Sequence, residues 1–421
     1  MQVNTPPETE PFVNLSLQSK VEQVQPMTGI VFWDTHESWN TPEKTVLAEA
    51  ISLEYSYISI NQIVTAEDVY DWTYLDNKLD KIAARNHQAI FRLYYTYPGR
   101  NTTVPDYIKS LPDYNETVGT TEGLTTHFPD WSHAELQTFT QEFHSKFAQR
   151  YDNDNRIAFL QLGFGLWGEY HIYDGPDRLG DTFPSKAYQK TFLTHLESVY
   201  SNLSWSVSID ASDIQRTPMN EAEVIDLSFG LFDDSFMLQD HSGYNESAWN
   251  FFNYNERYKS VPFGGEFSYE EETDQLNVLK PDVGAYGISY EEFADKFHIS
   301  YMIGNDTYHG DSSEEQPISR IKEASMASGY QFTVTSFSAN STHIKLTIKN
   351  TGVAPIYYDA FVVIDEIKST SSLKGLLPNN SQEFIIEKSA DINTVTTDSP
   401  SVTIVSDHIL SSQTIEFNAD L

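Results

Sequence analysis

Short apolar runs alternate with helical patterns over residues 27–328, and the texture changes to period-two alternation rich in Thr, Ser, Val and Ile over residues 329–421. The first region carries eight such runs: Gly29–Trp33, Tyr55–Ile60, Ala89–Tyr95, Ile157–Leu162, Trp205–Ile209, Val224–Phe229, Val261–Gly265 and Ile299–Ile303. Helices are signalled between most of them. Thr41-Pro42 sets an N-cap before a proline at the first helical position. Leu75, Leu79, Ile82 and Ala83 share one face of a second helix, and Tyr188, Phe192, Leu196 and Val199 share one face of another that opens at Pro184. Ser289 with Glu292 forms a capping box ahead of Phe293 and Phe297.

Strands separated by helices imply parallel βαβ units, and eight of them predict an α/β chain folded as a (β/α)8 TIM barrel. An open doubly wound sheet is the alternative, but no Gly-rich phosphate loop follows the first run. Residues 97–131, rich in Pro, Asn and Thr, read as a long insertion after the third strand. The tail has short alternating runs near Phe332, His343–Lys349, Tyr357–Ile364, Glu383–Ile386 and Val402–Val405, parted by Asn-Thr-Gly and Pro-Asn-Asn turns. That spacing predicts a small antiparallel β-sandwich. The expected organisation is an N-terminal extension over residues 1–26, the barrel over 27–328 and the sandwich over 329–421.

Composition narrows the chemistry. The 421 residues hold 26 Lys+Arg against 61 Asp+Glu, a formal charge of −35, which opposes nucleic acid and anionic membranes as partners. No apolar stretch reaches the length of a membrane helix, so no membrane insertion is expected. Cysteine is absent, which excludes disulfides, thiolate metal sites and a cysteine nucleophile. The polar start reads as a mature N-terminus behind an added Met, a short tether once a leader is gone. With the acidity and the missing cysteine, this suggests an exported bacterial protein, secreted, periplasmic or on the cell surface.

In a barrel of this kind the active site lies at the C-terminal ends of the strands. The residues that fall there are Trp33, Asp34, His36 and Glu37 after the first run, Arg92 and Tyr95 on the third, and Gly163–His171 after the fourth. Asp210 follows the fifth, Asp233 and Asp234 the sixth, Glu266 the seventh and Asp306 the eighth. Glu169 and Glu266 are the informative pair. Each follows a strand through a glycine-bearing turn, and strands four and seven lie nearly opposite across a barrel mouth. Two carboxylates facing each other over a sugar-sized gap suit glycosidic cleavage, one giving a proton to the leaving oxygen and the other attacking or activating water. The competing expectation is that either glutamate is a structural acid bonded to Arg92, a Trp or a Tyr. Trp33, Trp167, Tyr95 and Tyr170 offer flat faces for sugar C–H patches, and Asp34, His36, Arg92, His171, Asp210, Asp233 and Asp234 offer polar contacts to hydroxyls. His36-Glu37, Asp233-Asp234 with His241, and Asp306 with His309 and Asp311 lack any recognised metal spacing and read as solvated loops. No metal and no cofactor is expected.

Asp71-Trp72, Phe91–Gly99, Gly165–His171, Gly230–Ser235 and Asn350–Tyr357 together resemble bacterial proteins of the DUF4832/DUF4874 type. The resemblance spans most of residues 27–421 and implies a glycoside-hydrolase-like barrel with a C-terminal sandwich and a carbohydrate-related role, but no defined reaction. More distantly, glutamates after strands four and seven are similar to the acid/base and nucleophile of clan A retaining glycosidases. The chain departs from that clan in having Gly168, not Asn, before Glu169. The leading expectation is an exported hydrolase of a polysaccharide or oligosaccharide. The alternatives are a non-catalytic carbohydrate-binding barrel and a lyase-like enzyme in which Arg92 holds a uronate carboxylate.

Overall fold

The computed structural model describes residues 10–271, 274–280, 286–308, 317–388 and 400–421. Its centre is a closed parallel barrel of eight strands. These are β1 (Gly29–Trp33), β2 (Leu53–Ser59), β3 (Gln88–Tyr94), β4 (Ile157–Leu162), β5 (Ser204–Ser208), β6 (Gly230–Phe236), β7 (Phe263–Phe267) and β8 (Tyr301–Ile303). Each pairs in parallel with the next, and β8 closes onto β1. Alternation sorts the side chains. Phe32, Leu160, Val207, Leu231 and Phe263 pack outward against the helices, while Val31, Tyr55, Ile90, Phe159 and Tyr301 fill the interior.

One strand lies elsewhere than its pattern predicts. The run Val224–Phe229 is not β6; Ala222–Ile225 is a single helical turn that buries Val224, and the strand begins at Gly230. Two acids within Gly230–Phe236 hide that strand from a hydropathy reading. Asp233 and Asp234 therefore stand on β6, and Glu266 stands on β7, rather than in the loops beyond them.

The helices follow their caps. The side chain of Ser289 accepts from the Glu292 amide and Glu292 answers to the Ser289 amide, so the capping box forms and Phe293 and Phe297 are buried behind it. Ser185 caps Lys186–Val199, which buries Tyr188, Phe192 and Leu196. Leu75, Leu79 and Ile82 are the buried face of Thr73–Ala83. The insertion after β3 holds a short helix, Asp106–Lys109, and an antiparallel hairpin of Thr117–Thr121 with Leu124–Phe128.

Beyond the barrel come β9 (Phe332–Ala339), β10 (His343–Asn350), β11 (Phe361–Ile364), β12 (Ile367–Ser372), β13 (Ser381–Glu387), β14 (Val402–Val405) and β15 (Phe417–Asp420). One sheet runs β13-β10-β9-β15, with β9 and β15 parallel and the other pairs antiparallel; the second runs β12-β11-β14. Val334, Leu346, Phe384, Val362 and Ile404 fill the core between them. From residue 13 the N-terminal segment is no tether. Val13–Asn14 pairs with β9 and Gln18–Ser19 with β15, which makes it part of the sandwich.

The sandwich covers the bottom of the barrel. Gln88 and Asn155, at the starts of β3 and β4, donate to the carbonyls of His408 (2.9 Å) and Ile409 (2.9 Å). The Tyr330 hydroxyl reaches the Pro26 carbonyl ahead of β1 at 3.1 Å, and Tyr357 reaches the Tyr258 carbonyl ahead of β7 at 2.7 Å. The N-terminal ends of the strands are thus closed off, and the C-terminal ends form the mouth. Among the described residues no helix is long and apolar enough to cross a membrane.

Candidate active site

Parallel barrel strands are normally apolar, and a buried arginine on one demands partners. Arg92 is fully buried on β3. Its Nε and Nη2 donate to Gln161 Oε1 at 2.8 and 2.6 Å, Nη2 donates to Asp234 Oδ1 at 3.0 Å, and Nη1 engages the second Asp234 oxygen. Nη1 also reaches the Tyr57 hydroxyl at 3.3 Å, and the guanidinium lies 4.4 Å over the Phe232 ring. Gln161 Nε2 in turn donates to the Tyr301 hydroxyl at 2.9 Å. Arg92 points inward as expected, but the carboxylate it holds is Asp234, not Glu169 or Glu266. Gly264 makes room for this floor, since a Cβ there would sit 2.4 Å from the Tyr301 ring.

Above the floor, the loop after β4 folds back on itself. Gly165 N donates to the Glu169 carbonyl (2.7 Å) and Leu166 N to the His171 carbonyl (3.0 Å). A Cβ on Gly165 would lie 2.0 Å from that His171 carbonyl, so the turn needs glycine. Trp167 takes a left-handed φ of 54°, a costly conformation for a bulky residue, at the loop's tip. Tyr170 N donates to Ser208 Oγ at 3.0 Å and ties the loop to β5.

This turn buries Glu169 and sets its carboxylate 3.4 Å from His171 Nε2. Asp210, in the short helix after β5, completes a trio whose ligand atoms all lie within 4.8 Å of one another. Tyr244 donates its hydroxyl to Asp210 at 3.1 Å. One nitrogen and two carboxylates at that spacing could hold a divalent cation, a grouping that the sequence patterns did not single out.

Glu266 projects inward from β7, on the strand next to Asp234. Its Oε1 is buried without a hydrogen-bond partner among the described residues. Burial, then Asp234, raise the Glu169 carboxyl to about 7, against the lowering pull of His171. Burial and Asp234 also hold Glu266 well above the carboxylate range; Arg92 opposes the shift, and Glu169 and Asp306 add to it. Burial works against a charge on His171, but Glu169 outweighs it, and the imidazole rises to about 9.

Aromatic side chains rim this space. Trp167 stacks on Tyr173 at 5.8 Å and 12°, and Tyr173 is 59% exposed. Tyr97 meets Trp167 edge-on at 6.5 Å, and Trp33 meets Tyr57 at 5.7 Å, so Trp33 stands in the wall. Tyr57, Gln161, Tyr97 and Tyr173 went unflagged in the sequence. The available signal was strand parity for two of them: Tyr57 and Gln161 share the inward face with Tyr55 and Phe159.

Four expected contacts are engaged by other side chains or by backbone. Tyr95 is buried in the helix layer, bonded to Thr140 (2.8 Å) and packed on Trp131, because it follows the inward Tyr94 by one position. Asp233 faces outward for the same reason of parity. It is fully buried and accepts from Asn245 Nδ2 (2.7 Å) and Trp249 Nε1 (2.8 Å), and His241 lies 3.4 Å away. His36 is buried too; its Nδ1 accepts from the Ser38 amide and its Nε2 meets the Tyr308 carbonyl at 2.7 Å, which braces the loop after β8. Asp34 is engaged by Lys78 of the helix Thr73–Ala83. Of the third metal grouping, His309 and Asp311 lie outside the described residues.

No family model and no curated protein matches the chain, so the DUF4832/DUF4874 likeness stays a resemblance. Solved structures similar to it include glycoside hydrolases. Endo-glycoceramidase II from Rhodococcus sp., in complex with a cellobiose-like isofagomine, is 11% identical over 91% of this chain and 99% of its own, with a TM-score of 0.43. A family 39 glycoside hydrolase from Bacteroides cellulosilyticus is 10% identical over 87% of this chain and 82% of its own, with a TM-score of 0.44. A xylanase from Paenibacillus barcinonensis is 11% identical over 73% of this chain and 99% of its own, with a TM-score of 0.42.

Proposed function

We propose that this protein is a glycoside hydrolase acting on a polysaccharide or oligosaccharide, with Glu169 and Glu266 as its catalytic pair. The observation that carries the reading is that Glu169, after β4, and Glu266, on β7, face one barrel mouth, both raised above their ordinary range by burial and by the same neighbour, Asp234. Like charges in one pocket cannot both ionise easily, so the pair keeps a proton near neutral pH and titrates as a unit. One carboxylic acid and one carboxylate is the state that glycosidic cleavage uses.

Glu169 is assigned the proton donor. His171, charged up to about pH 9, stands beside it and can return a proton after each transfer. Glu266 is assigned the attacking or water-activating carboxylate because it projects inward from β7, opposite the β4 loop that carries Glu169, where Arg92 opposes the rise of its carboxyl. The flat pair of Trp167 and Tyr173 would take the apolar face of a sugar. The lyase-like alternative loses its key group, since the Arg92 fork is already filled by Asp234 and Gln161. The composition supports export as the setting of this activity.

A digestion screen of plant, algal and microbial glycans tests the reading, scored by reducing ends and by absorbance of unsaturated products. New reducing ends that vanish in Glu169→Gln and Glu266→Gln are expected. Unsaturated products would mean elimination instead, and binding of a glycan that is never cleaved would mean a non-catalytic barrel.

A further inference from the structure

Exposed aromatic rings are few in this chain, and most of them gather at one place. Among the described residues they are Tyr173, Tyr244, Tyr269 and Phe251, in a sequence with 25 Tyr and 25 Phe. Three of these four border the mouth: Tyr173 beside His171, Tyr244 on Asp210 and Tyr269 beside Glu266. Phe251 is the exception, about two turns along its helix from Tyr244 and packed on Phe252.

The three tyrosines share one construction. Tyr173 donates its hydroxyl to Glu122 in the hairpin turn, Tyr244 donates to Asp210 at 3.1 Å, and the hydroxyl of Tyr269 is sunk beside Glu266 and Asp306. The residues nevertheless stay 59%, 57% and 51% exposed. A surface tyrosine held at its polar end has given up rotamer freedom before any ligand arrives, so its open face binds without that entropic cost.

Their placement sets a direction. Trp167 and Tyr173 stack on the loop after β4, while Tyr269 follows β7, with β5 and β6 between them on one side and four strands on the other. Glu169 belongs to the first end and Glu266 to the second, so a ligand lying on both faces passes both carboxyls. A platform on each side of a cleaving pair serves an internal stretch of polymer, whereas a chain-end site needs one. Pyranoses with equatorial hydroxyls, as in cellulose- and xylan-type chains, carry their C–H bonds on the ring faces and their hydroxyls at the edge. They therefore fit apolar faces with carboxyls between. Resting on the glycosidase reading above, we propose that the mouth grips the interior of such a neutral chain, with Trp167 and Tyr173 under one sugar and Tyr269 under another beyond the catalytic pair, so that cleavage is internal.

The test is titration calorimetry of the full chain carrying Glu266→Gln, which keeps the ligand intact, with cellohexaose, xylohexaose and their disaccharides. One hexaose should bind about tenfold or more tightly than its disaccharide, because the platforms contribute independently. Tyr173→Ala and Tyr269→Ala should each weaken that hexaose by roughly threefold to tenfold, and the losses should multiply in the double variant, since the rings touch different sugar units. The disaccharide should feel no more than one of the two changes, and Phe251→Ala should alter neither ligand. The proposal is overturned if neither hexaose binds, if hexaose binds no tighter than disaccharide, if Tyr269→Ala leaves the hexaose unaffected, or if it weakens both ligands equally. Wild-type digests of the same oligomers, sampled early and separated by length, keep the two readings apart. A hexaose held across both tyrosines but never cut defeats the hydrolase and spares this inference. Release of short units from the chain end alone upholds the hydrolase and defeats the inference, and early products from the middle of the chain support both.

Discussion

Arg92 and Asp234 meet in a two-point ion pair across the barrel interior, Nη2 to Oδ1 at 3.0 Å and Nη1 on the other oxygen. The pair joins β3 to β6, and the arginine is fully buried. It fixes the floor on which the glutamates stand, because Asp234 is the first charged neighbour that each of them feels.

Breaking this pair from one side should be expensive. Asp234→Asn leaves a guanidinium in the interior without its counter-charge, and loss of one partner of a buried pair costs about 3–5 kcal/mol. Urea unfolding should show a midpoint shifted far down, whereas Arg150→Gln, at the exposed pair with Asp76, should leave it almost unchanged. A near-wild-type midpoint for Asp234→Asn would mean that the pair is open to water.

The stacked rings of Trp167 and Tyr173 should act in binding and not in chemistry. Aromatic contacts of this kind are worth about 0.5–1.5 kcal/mol beyond area burial, so Trp167→Ala should raise KM by roughly threefold to tenfold with kcat nearly kept. A collapse of kcat with unchanged KM would instead place the indole in the positioning of Glu169, through the strained loop it tips.

Much of the barrel was legible because its strands obey parity and its helices carry caps. Ile157–Leu162 and the Ser289–Glu292 box stand where their patterns put them. What escaped did so for physical reasons. β6 is a strand with two acids, one buried outward in hydrogen bonds to Asn245 and Trp249 and one half-buried and turned inward onto Arg92, and neither partner is visible from local sequence. Tyr95 and Asp233 were misplaced by a single residue of register, which in a strand exchanges interior for exterior. Glu169 could be found because a glycine turn announces it, and Glu266 because two glycines precede it, although they stand on β7 and not in a turn. Their shared pocket could not, because it depends on a loop folding back so that His171 lies against Glu169.

His171 should govern the alkaline side of the pH profile. Its charge lowers the Glu169 carboxyl, so His171→Gln should let that carboxyl rise and move the basic limb of kcat/KM to higher pH. The imidazole, raised to about 9 from its ordinary 6.5, stabilises the fold fully below about 6.5, and that contribution is lost as pH climbs through about 9. The variant should therefore lose less stability than wild type between pH 7 and 9, by thermal melts. Superimposable rate profiles and melts would remove His171 from the site's proton balance.

Glu169→Gln and Glu266→Gln should move activity and stability in opposite directions. As general acid or base, each is worth roughly 10²–10⁴ in rate, so turnover on a confirmed glycan should fall by at least that much. Stability follows from the raised carboxyls. Glu169 titrates near 7 in the fold against 4.5 when unfolded, and burial and Asp234 raise Glu266 in the same direction. The native state thus binds the proton more tightly, and the stability this confers is complete below about pH 4.5. It drains away as pH rises through about 7, where wild type must hold buried, mutually repelling anions. A glutamine keeps the shape and carries no charge. Each variant should therefore melt above wild type at pH 8, with the advantage shrinking toward pH 4. Variants that melt below wild type at pH 8 would show that the carboxylates are paired and satisfied in the fold. A pair of that kind holds structure together and has no proton to give to a sugar.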